Sequence, residues 1–217
     1  MKNNFDLIIF DWDGTLIDSI DWITQCLQAA GQNCGFAVPE PQQAKDVIGL
    51  SIDHAVKKLF PMANAGEQQD LINFYAEAYF SKEVYPTDLF CGVKGMLEQL
   101  RESGFQLAVA TGKTRNGLNN ALSKTLTKDF FCVTRCADET ASKPDPKMLN
   151  EILHHTNIAN TRALMVGDST HDLQMANYAN IAAVAVSCGA HSISALQRHQ
   201  PMLCLPYATD LLAYLSD

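Results

Sequence analysis

Leu7-Ile8-Ile9-Phe10-Asp11-Trp12-Asp13-Gly14-Thr15-Leu16-Ile17-Asp18-Ser19 is the stretch on which the fold turns. Its first four residues form a short, continuous apolar run, the pattern of a strand buried on both faces in a parallel sheet. The run ends abruptly in carboxylates, which predicts that the strand stops at an edge of the sheet. In an open parallel sheet, the edge at the carboxyl ends of the strands is where ligands bind. Asp11 and Asp13 are two residues apart, so one more step of strand geometry projects them to the same side. Two close carboxylates repel each other and tend to hold a proton or a cation between them. Taken alone, the run also reads as a polar turn, because Asp and Gly are ordinary turn residues.

Beyond Ser19 the period changes from strand to helix. Ile20, Ile23, Leu27 and Ala30 recur at helical spacing before Gly31, Gly35, Pro39 and Pro41 punctuate the chain. Further helices are predicted around Ile52 to Leu59, ended by Pro61, and around Leu71 to Tyr79. No convincing strand falls between Ile20 and Tyr85. From Pro86 the rhythm alternates: a helix over Val93 to Leu100 closed by Gly104, then a strand over Phe105 to Ala110 running into Thr111-Gly112-Lys113. A helix capped by Thr114 follows, then a strand over Phe131 to Thr134 and a helix starting at Asp145-Pro146. A strand over Ala163 to Val166 ends in Gly167-Asp168, and after the next helix comes a strand over Ile181 to Val186. A helix, a short strand at Met202 to Leu205 and a closing helix complete the chain.

Alternating strands and helices predict an α/β fold, a three-layer Rossmann-like parallel sheet, because parallel strands need crossover connections. The all-helical stretch reads as a unit inserted after the first strand. The expected organisation is a discontinuous core of residues 1–18 and 86–217 with a helical domain at 19–85, hinged near Asp18 to Ile20 and Tyr85 to Gly92.

Composition narrows the function classes. A chain of 217 residues with 47% hydrophobic and 18% charged residues has the make-up of an ordinary globular protein with a substantial core. Sixteen basic against 24 acidic residues, a net charge of −8 and no basic run argue against nucleic acid or an anionic membrane as general partners. An anionic substrate then needs a local nest of positive charge. The amino terminus lacks the apolar core of a secretory signal, and no stretch approaches membrane-spanning length. The seven scattered cysteines include no Cys-x-x-Cys pair, which fits reduced thiols and a cytoplasmic location.

Three later places share the form of the first, a predicted strand or loop ending in small polar or charged residues: Thr111-Gly112, Lys143 within Ser142-Lys143-Pro144-Asp145, and Asp168 with Asp172 in Gly167-Asp168-Ser169-Thr170-His171-Asp172. Phosphoryl transfer asks for a nucleophile, a divalent cation, fixed donors on the phosphate oxygens and a general acid for the leaving group. The four places together hold residues of all these types.

In order and spacing these four stretches resemble the motifs of the haloacid dehalogenase superfamily of phosphohydrolases, over Asp6 to about Gly189. The helical insertion is similar to the cap of the branch that includes phosphoglycolate phosphatases and β-phosphoglucomutases. The resemblance implies that Asp11 attacks phosphorus and carries an aspartyl phosphate, while Asp13 protonates the leaving alkoxide and then deprotonates water. It implies that Asp11, the main-chain carbonyl of Asp13, and Asp168 hold Mg2+, with Asp172 supporting that shell. It further implies that the Thr111 hydroxyl, the Gly112 amide and the Lys143 ammonium bind the phosphoryl oxygens. Asp13 separates this chain from the dehalogenases of the superfamily, whose halide leaves without a proton.

The resulting expectation is a Mg2+-dependent phosphatase acting on a small phosphorylated metabolite, phosphoglycolate-like or a sugar phosphate. The alternatives are a phosphomutase of the β-phosphoglucomutase type and a non-catalytic phospho-ligand-binding protein. Oligomeric state is open. Asp172 also reads as a helix cap, His171 as a residue tuning local charge or facing solvent, Trp12 as core, and Lys45 near Gly49-Leu50-Ser51 as a candidate substrate contact.

Overall fold

The computed structural model describes residues 4–215. Six strands, β1 (Leu7–Phe10), β2 (Gln106–Thr111), β3 (Val133–Cys136), β4 (Ala163–Gly167), β5 (Ala182–Val186) and β6 (Leu203–Leu205), form one sheet in the order β3-β2-β1-β4-β5-β6. Every neighbouring pair is parallel, and Leu7 lies opposite both Gln106 and Ala163. The chain steps outward from β1 in one direction, then returns to start β4 on its other flank. This reversal opens a crevice at the carboxyl ends of β1 and β4, the position at which doubly wound sheets bind ligands.

The period-2 alternation of side chains sends the apolar strand residues into two separate cores. Ile8, Phe10, Leu107, Val109, Leu164 and Val166 face α5 (Val93–Glu102) and α6 (Arg115–Lys124). Leu7, Ile9, Ala108, Ala110 and Met165 face α7 (Lys147–Thr156) and α8 (Thr170–Tyr178). The continuous apolar spelling of Leu7 to Phe10 thus follows from burial on both sides, and all four residues are fully buried. The short α9 (Ile193–Gln197) and α10 (Leu212–Leu215) complete the two helical layers through Leu196 on one face and Leu215 on the other.

Between β1 and α5 run four α-helices, α1 (Ile20–Asn33), α2 (Pro41–Lys45), α3 (Ile52–Leu59) and α4 (Ala65–Phe80), with no strand among them. They bury Ile20, Ile23, Leu27, Val47 and Ile48 in one cluster and Val56, Phe60 and Leu71 in another. The chain passes between the sheet and this unit twice, side by side: the Asp18 amide donates to the Asp88 carbonyl at 2.9 Å and the Phe90 amide to the Leu16 carbonyl at 3.0 Å.

Three details differ from the sequence reading. Pro41 opens α2 rather than merely punctuating the chain, because proline is tolerated in a first turn; the Glu40 amide donates to Gln43 Oε1 at 2.9 Å across it. Helix α7 has Pro146 at its cap, and Asp145 acts one residue earlier, with Oδ1 accepting from the Lys147 amide at 2.9 Å. Strand β3 starts two residues later than expected, at Val133. None of the seven cysteines is paired, and among the described residues no helix is long and apolar enough to cross a membrane.

Candidate active site

Each strand tip at the crevice delivers one part of the site. Asp11 follows β1 directly, and its amide donates to the Val166 carbonyl at 2.9 Å, which ties it to the tip of β4. Asp168 follows β4. Its Oδ1 accepts from Thr15 Oγ1 at 3.0 Å and its Oδ2 from the Ala190 amide at 2.7 Å. Asp172 lies in the first turn of α8, where Oδ2 accepts from the amide of Ser169 at 3.1 Å and its hydroxyl at 2.6 Å. Oδ2 thus closes the capping box of α8, while Oδ1 turns inward to Lys143.

Lys143, on the segment between β3 and α7, reaches into this cluster. Its Nζ is 2.7 Å from Asp11 Oδ1 and 2.6 Å from Asp172 Oδ1, and its side chain is wholly buried. Burial alone would lower the Lys143 pKa, but Asp11 and Asp172 overcome that and hold it above the ordinary lysine value. The backbone crowds closely around these groups: a Cβ on Gly14 or Gly189 would run into Asp168, and one on Gly167 into Asp172.

One oxygen from each of Asp11, Asp168 and Asp172 lies within 4.8 Å of the others. Three carboxylates against one ammonium leave two negative charges in a buried space. Burial pushes the Asp11 carboxyl well above its ordinary value, Lys143 opposes the shift, and Asp172 and Asp168 add to it. Burial, with Asp172 second, pushes Asp168 up to about 7. Asp11 Oδ2 is buried with no hydrogen-bond partner. An all-oxygen donor set with surplus negative charge and an orphaned carboxylate oxygen fits a hard divalent cation such as Mg2+.

Asp13 stands apart from the other three acids. Its Oδ1 accepts from Ser19 Oγ at 2.6 Å and its Oδ2 pairs with Lys113 Nζ at 3.0 Å. The nearest charge is therefore a cation, where the sequence suggested acidic neighbours, and any contribution of Asp13 to a metal falls to its main-chain oxygen. Lys113 also donates to the Tyr79 hydroxyl at 2.5 Å, so the same ammonium reaches from the sheet to α4. Burial pulls the Lys113 pKa down, but Asp13 and then Tyr79 hold it above its ordinary value. Thr111 ends β2 buried, its Oγ1 accepting from the Lys113 amide at 3.2 Å. Gly112 follows, and a Cβ there would lie 2.5 Å from the carbonyl oxygens of both Gly49 and Leu50.

That close approach brings the loop before α3 over the strand tips. The Ser51 amide donates to Ser142 Oγ at 2.8 Å, and His171 Nε2 donates to the Asp46 carbonyl at 3.1 Å. Burial lowers His171 to about 4, so it meets this loop as a neutral ring. Between the strand tips and the helices lies a cavity of about 140 Å³ whose lining includes Asp11, Asp13, Thr111, Gly112 and Lys113. Gly49 and Leu50 line it too. Lys45 does not; it pairs with Asp21 at 3.0 Å.

The structure brings together Asp11, Lys143, Asp168 and Asp172 in one cluster and Asp11, Asp13, Thr111 and Gly112 around one cavity. Sequence reasoning missed Lys113, Ser19 and Thr15. Lys113 had a signal, as a lone cation beside a strand tip facing acids; the two hydroxyls had none beyond their position next to the first motif.

Fold and site define a doubly wound α/β protein with an acid–lysine centre at its strand tips beneath a helical unit. The chain belongs to the haloacid dehalogenase-like hydrolase family, whose profile matches residues 8–186. Among its relatives, the protein named "Probable phosphatase IndB" of Dickeya dadantii is 29% identical over 91% of this chain and 87% of its own. A phosphoglycolate phosphatase of Vibrio vulnificus is 27% identical over 100% and 96%. A hydrolase from Pseudomonas syringae has the same fold, with a TM-score of 0.87 at 21% identity over 98% of both chains.

Proposed function

We propose that this chain is a Mg2+-dependent phosphatase that hydrolyses a small phosphorylated metabolite through an aspartyl phosphate on Asp11. The observation that carries the reading is the meeting of four distant stretches at one place: Lys143 Nζ lies 2.7 Å from Asp11, which lines the same cavity as Asp13, Thr111 and Gly112. The names of the two sequence relatives described above, both phosphatases, agree with it.

In this reading Lys143, the Thr111 hydroxyl and the Gly112 amide hold the phosphoryl oxygens and orient phosphorus toward Asp11. An Asp11 oxygen forms a bond to phosphorus as the bond to the leaving oxygen breaks, and Asp13 gives that oxygen its proton. Asp13 then takes a proton from water, which attacks phosphorus and frees Asp11 and inorganic phosphate. Ser19 Oγ and Lys113 Nζ hold the two Asp13 oxygens at 2.6 and 3.0 Å, so Asp13 exchanges one of these contacts for a proton before it serves as the acid. Asp11, Asp168 and Asp172 would hold Mg2+, which would supply positive charge against the phosphoryl oxygens. The helical unit over the cavity acts as a cap that excludes bulk water from the phosphoenzyme.

Phosphate release from a panel of phosphomonoesters tests the proposal. Release is expected with Mg2+, is lost with a chelator, and is abolished by Asp11→Asn. Turnover that survives Asp11→Asn refutes the nucleophile assignment, and a phosphorylated sugar isomerised without free phosphate would move the assignment to a mutase.

A further inference from the structure

The same cavity carries chemical information about the group that leaves. Its lining includes the polar side chains of Asp11, Asp13, Thr111, Lys113, Thr114, Tyr75 and Tyr79. The walls are Ile23, Leu27, Val47, Ile48, Ile72 and Phe80. The helical segment 20–85 contains four cations, Lys45, Lys57, Lys58 and Lys82, and none of them lines the cavity. Lys45 pairs with Asp21 and Lys82 with Asp88, while Lys57 and Lys58 lie on the exposed side of α3. Lys113, the cation that does line the cavity, is already engaged by Asp13 at 3.0 Å and the Tyr79 hydroxyl at 2.5 Å.

We infer that the preferred substrate is a phosphomonoester whose leaving group is uncharged and predominantly apolar, no larger than about one six-membered ring. This deepens the phosphatase reading and rests on it. A carboxylate or second phosphate on the leaving group would enter a space whose lining charges are Asp11, Asp13 and the already paired Lys113, so its burial would go uncompensated. A polyol would exchange water for aliphatic walls with few partners for its hydroxyls. An apolar chain or ring loses nothing there and removes its surface from water. An apolar cavity of about 150 Å³ admits a benzene ring; this cavity of about 140 Å³ also holds the phosphoryl group at Asp11, Thr111 and Gly112, so a single ring is an upper bound on the leaving group.

The test is an alkyl series in which the leaving alkoxides have similar basicity: methyl, ethyl and n-butyl phosphate, set against 2-phosphoglycolate and pyrophosphate, with Mg2+. The expected result is a rise in kcat/KM of about fourfold per methylene, with 2-phosphoglycolate and pyrophosphate both below ethyl phosphate. A flat series, or either charged substrate ahead of n-butyl phosphate, overturns the inference while leaving the phosphatase reading intact. If no ester is hydrolysed, that reading fails, and calorimetry with n-butylphosphonate and phosphonoacetate in Mg2+ decides the cavity separately. Tighter n-butylphosphonate then supports the apolar assignment, and equal or reversed affinities overturn it.

Discussion

Lys113→Met removes the cation held against Asp13 without changing the length of the side chain much. The ion pair is 3.0 Å long and both side chains are nearly buried, at 8% and 9% exposure, so solvent does little to screen it. Breaking such a pair from one side leaves an unmatched buried charge and typically costs about 3–5 kcal/mol. The expected result in urea unfolding is therefore a destabilisation of about 3–5 kcal/mol at pH 7. Asp13→Asn in the same chain should recover most of the deficit, since an amide needs no counter-charge. A loss below about 1 kcal/mol at pH 7, or the same loss in the Asp13→Asn background, would refute the reasoning and class the contact with screened surface pairs.

Four further outcomes follow from the geometry. Gly189→Ala drives a methyl group into Asp168 and should weaken Mg2+ affinity by about 10–100-fold, read from the metal dependence of phosphate release. Gly112→Ala places a methyl 2.5 Å from two carbonyl oxygens of the overlying loop, so proteolysis near Gly49 and Leu50 should accelerate while the sheet keeps its stability. Lys143→Met should reduce turnover by at least about a hundredfold, measured as initial rate at saturating Mg2+. In the metal-free protein Asp168, at about 7, sits above its unfolded value of 3.8, so the folded state binds more protons in that window and stability falls as pH rises through it. Saturating Mg2+, which takes the ionised carboxylates, should increase unfolding free energy more at pH 8 than at pH 5 in a comparison with and without chelator; a pH-independent increment would contradict this.

Much of the sheet was legible because burial on both faces leaves a local mark, as at Leu7 to Phe10, and the crossover helices leave theirs in the spacing of Val93, Met96, Leu97 and Leu100. The four stretches at the strand tips were legible for a related reason: parallel topology sends every carboxyl end to one edge, so Asp11, Thr111 and Asp168 could be placed together before their distances were known. What lay beyond reading was pairing across the chain. The sequence puts Asp13 two residues from Asp11, yet its partner is Lys113, a hundred positions on, and the second contact of that ammonium is Tyr79 from α4. Nor does local spelling disclose that Gly49 and Leu50 rest on Gly112, or that the lysines of the helical segment face away from the cavity. Pro41 was misread as a stop because proline marks both the outside of a helix and its first turn, and only the bonds across Glu40 to Gln43 tell which.

The two passages between the sheet and the helices are bonded to each other at Asp18–Asp88 and Leu16–Phe90. A pair of tethers joined in this way behaves as a ribbon, compliant to flexing across its flat face and stiff to sideways slip. Any tilt of the helices about this ribbon would bring Gly49 and Leu50 back to Gly112 rather than to a range of neighbouring positions. Severing one rung of the ribbon would loosen that registration without touching a single residue of the chemistry.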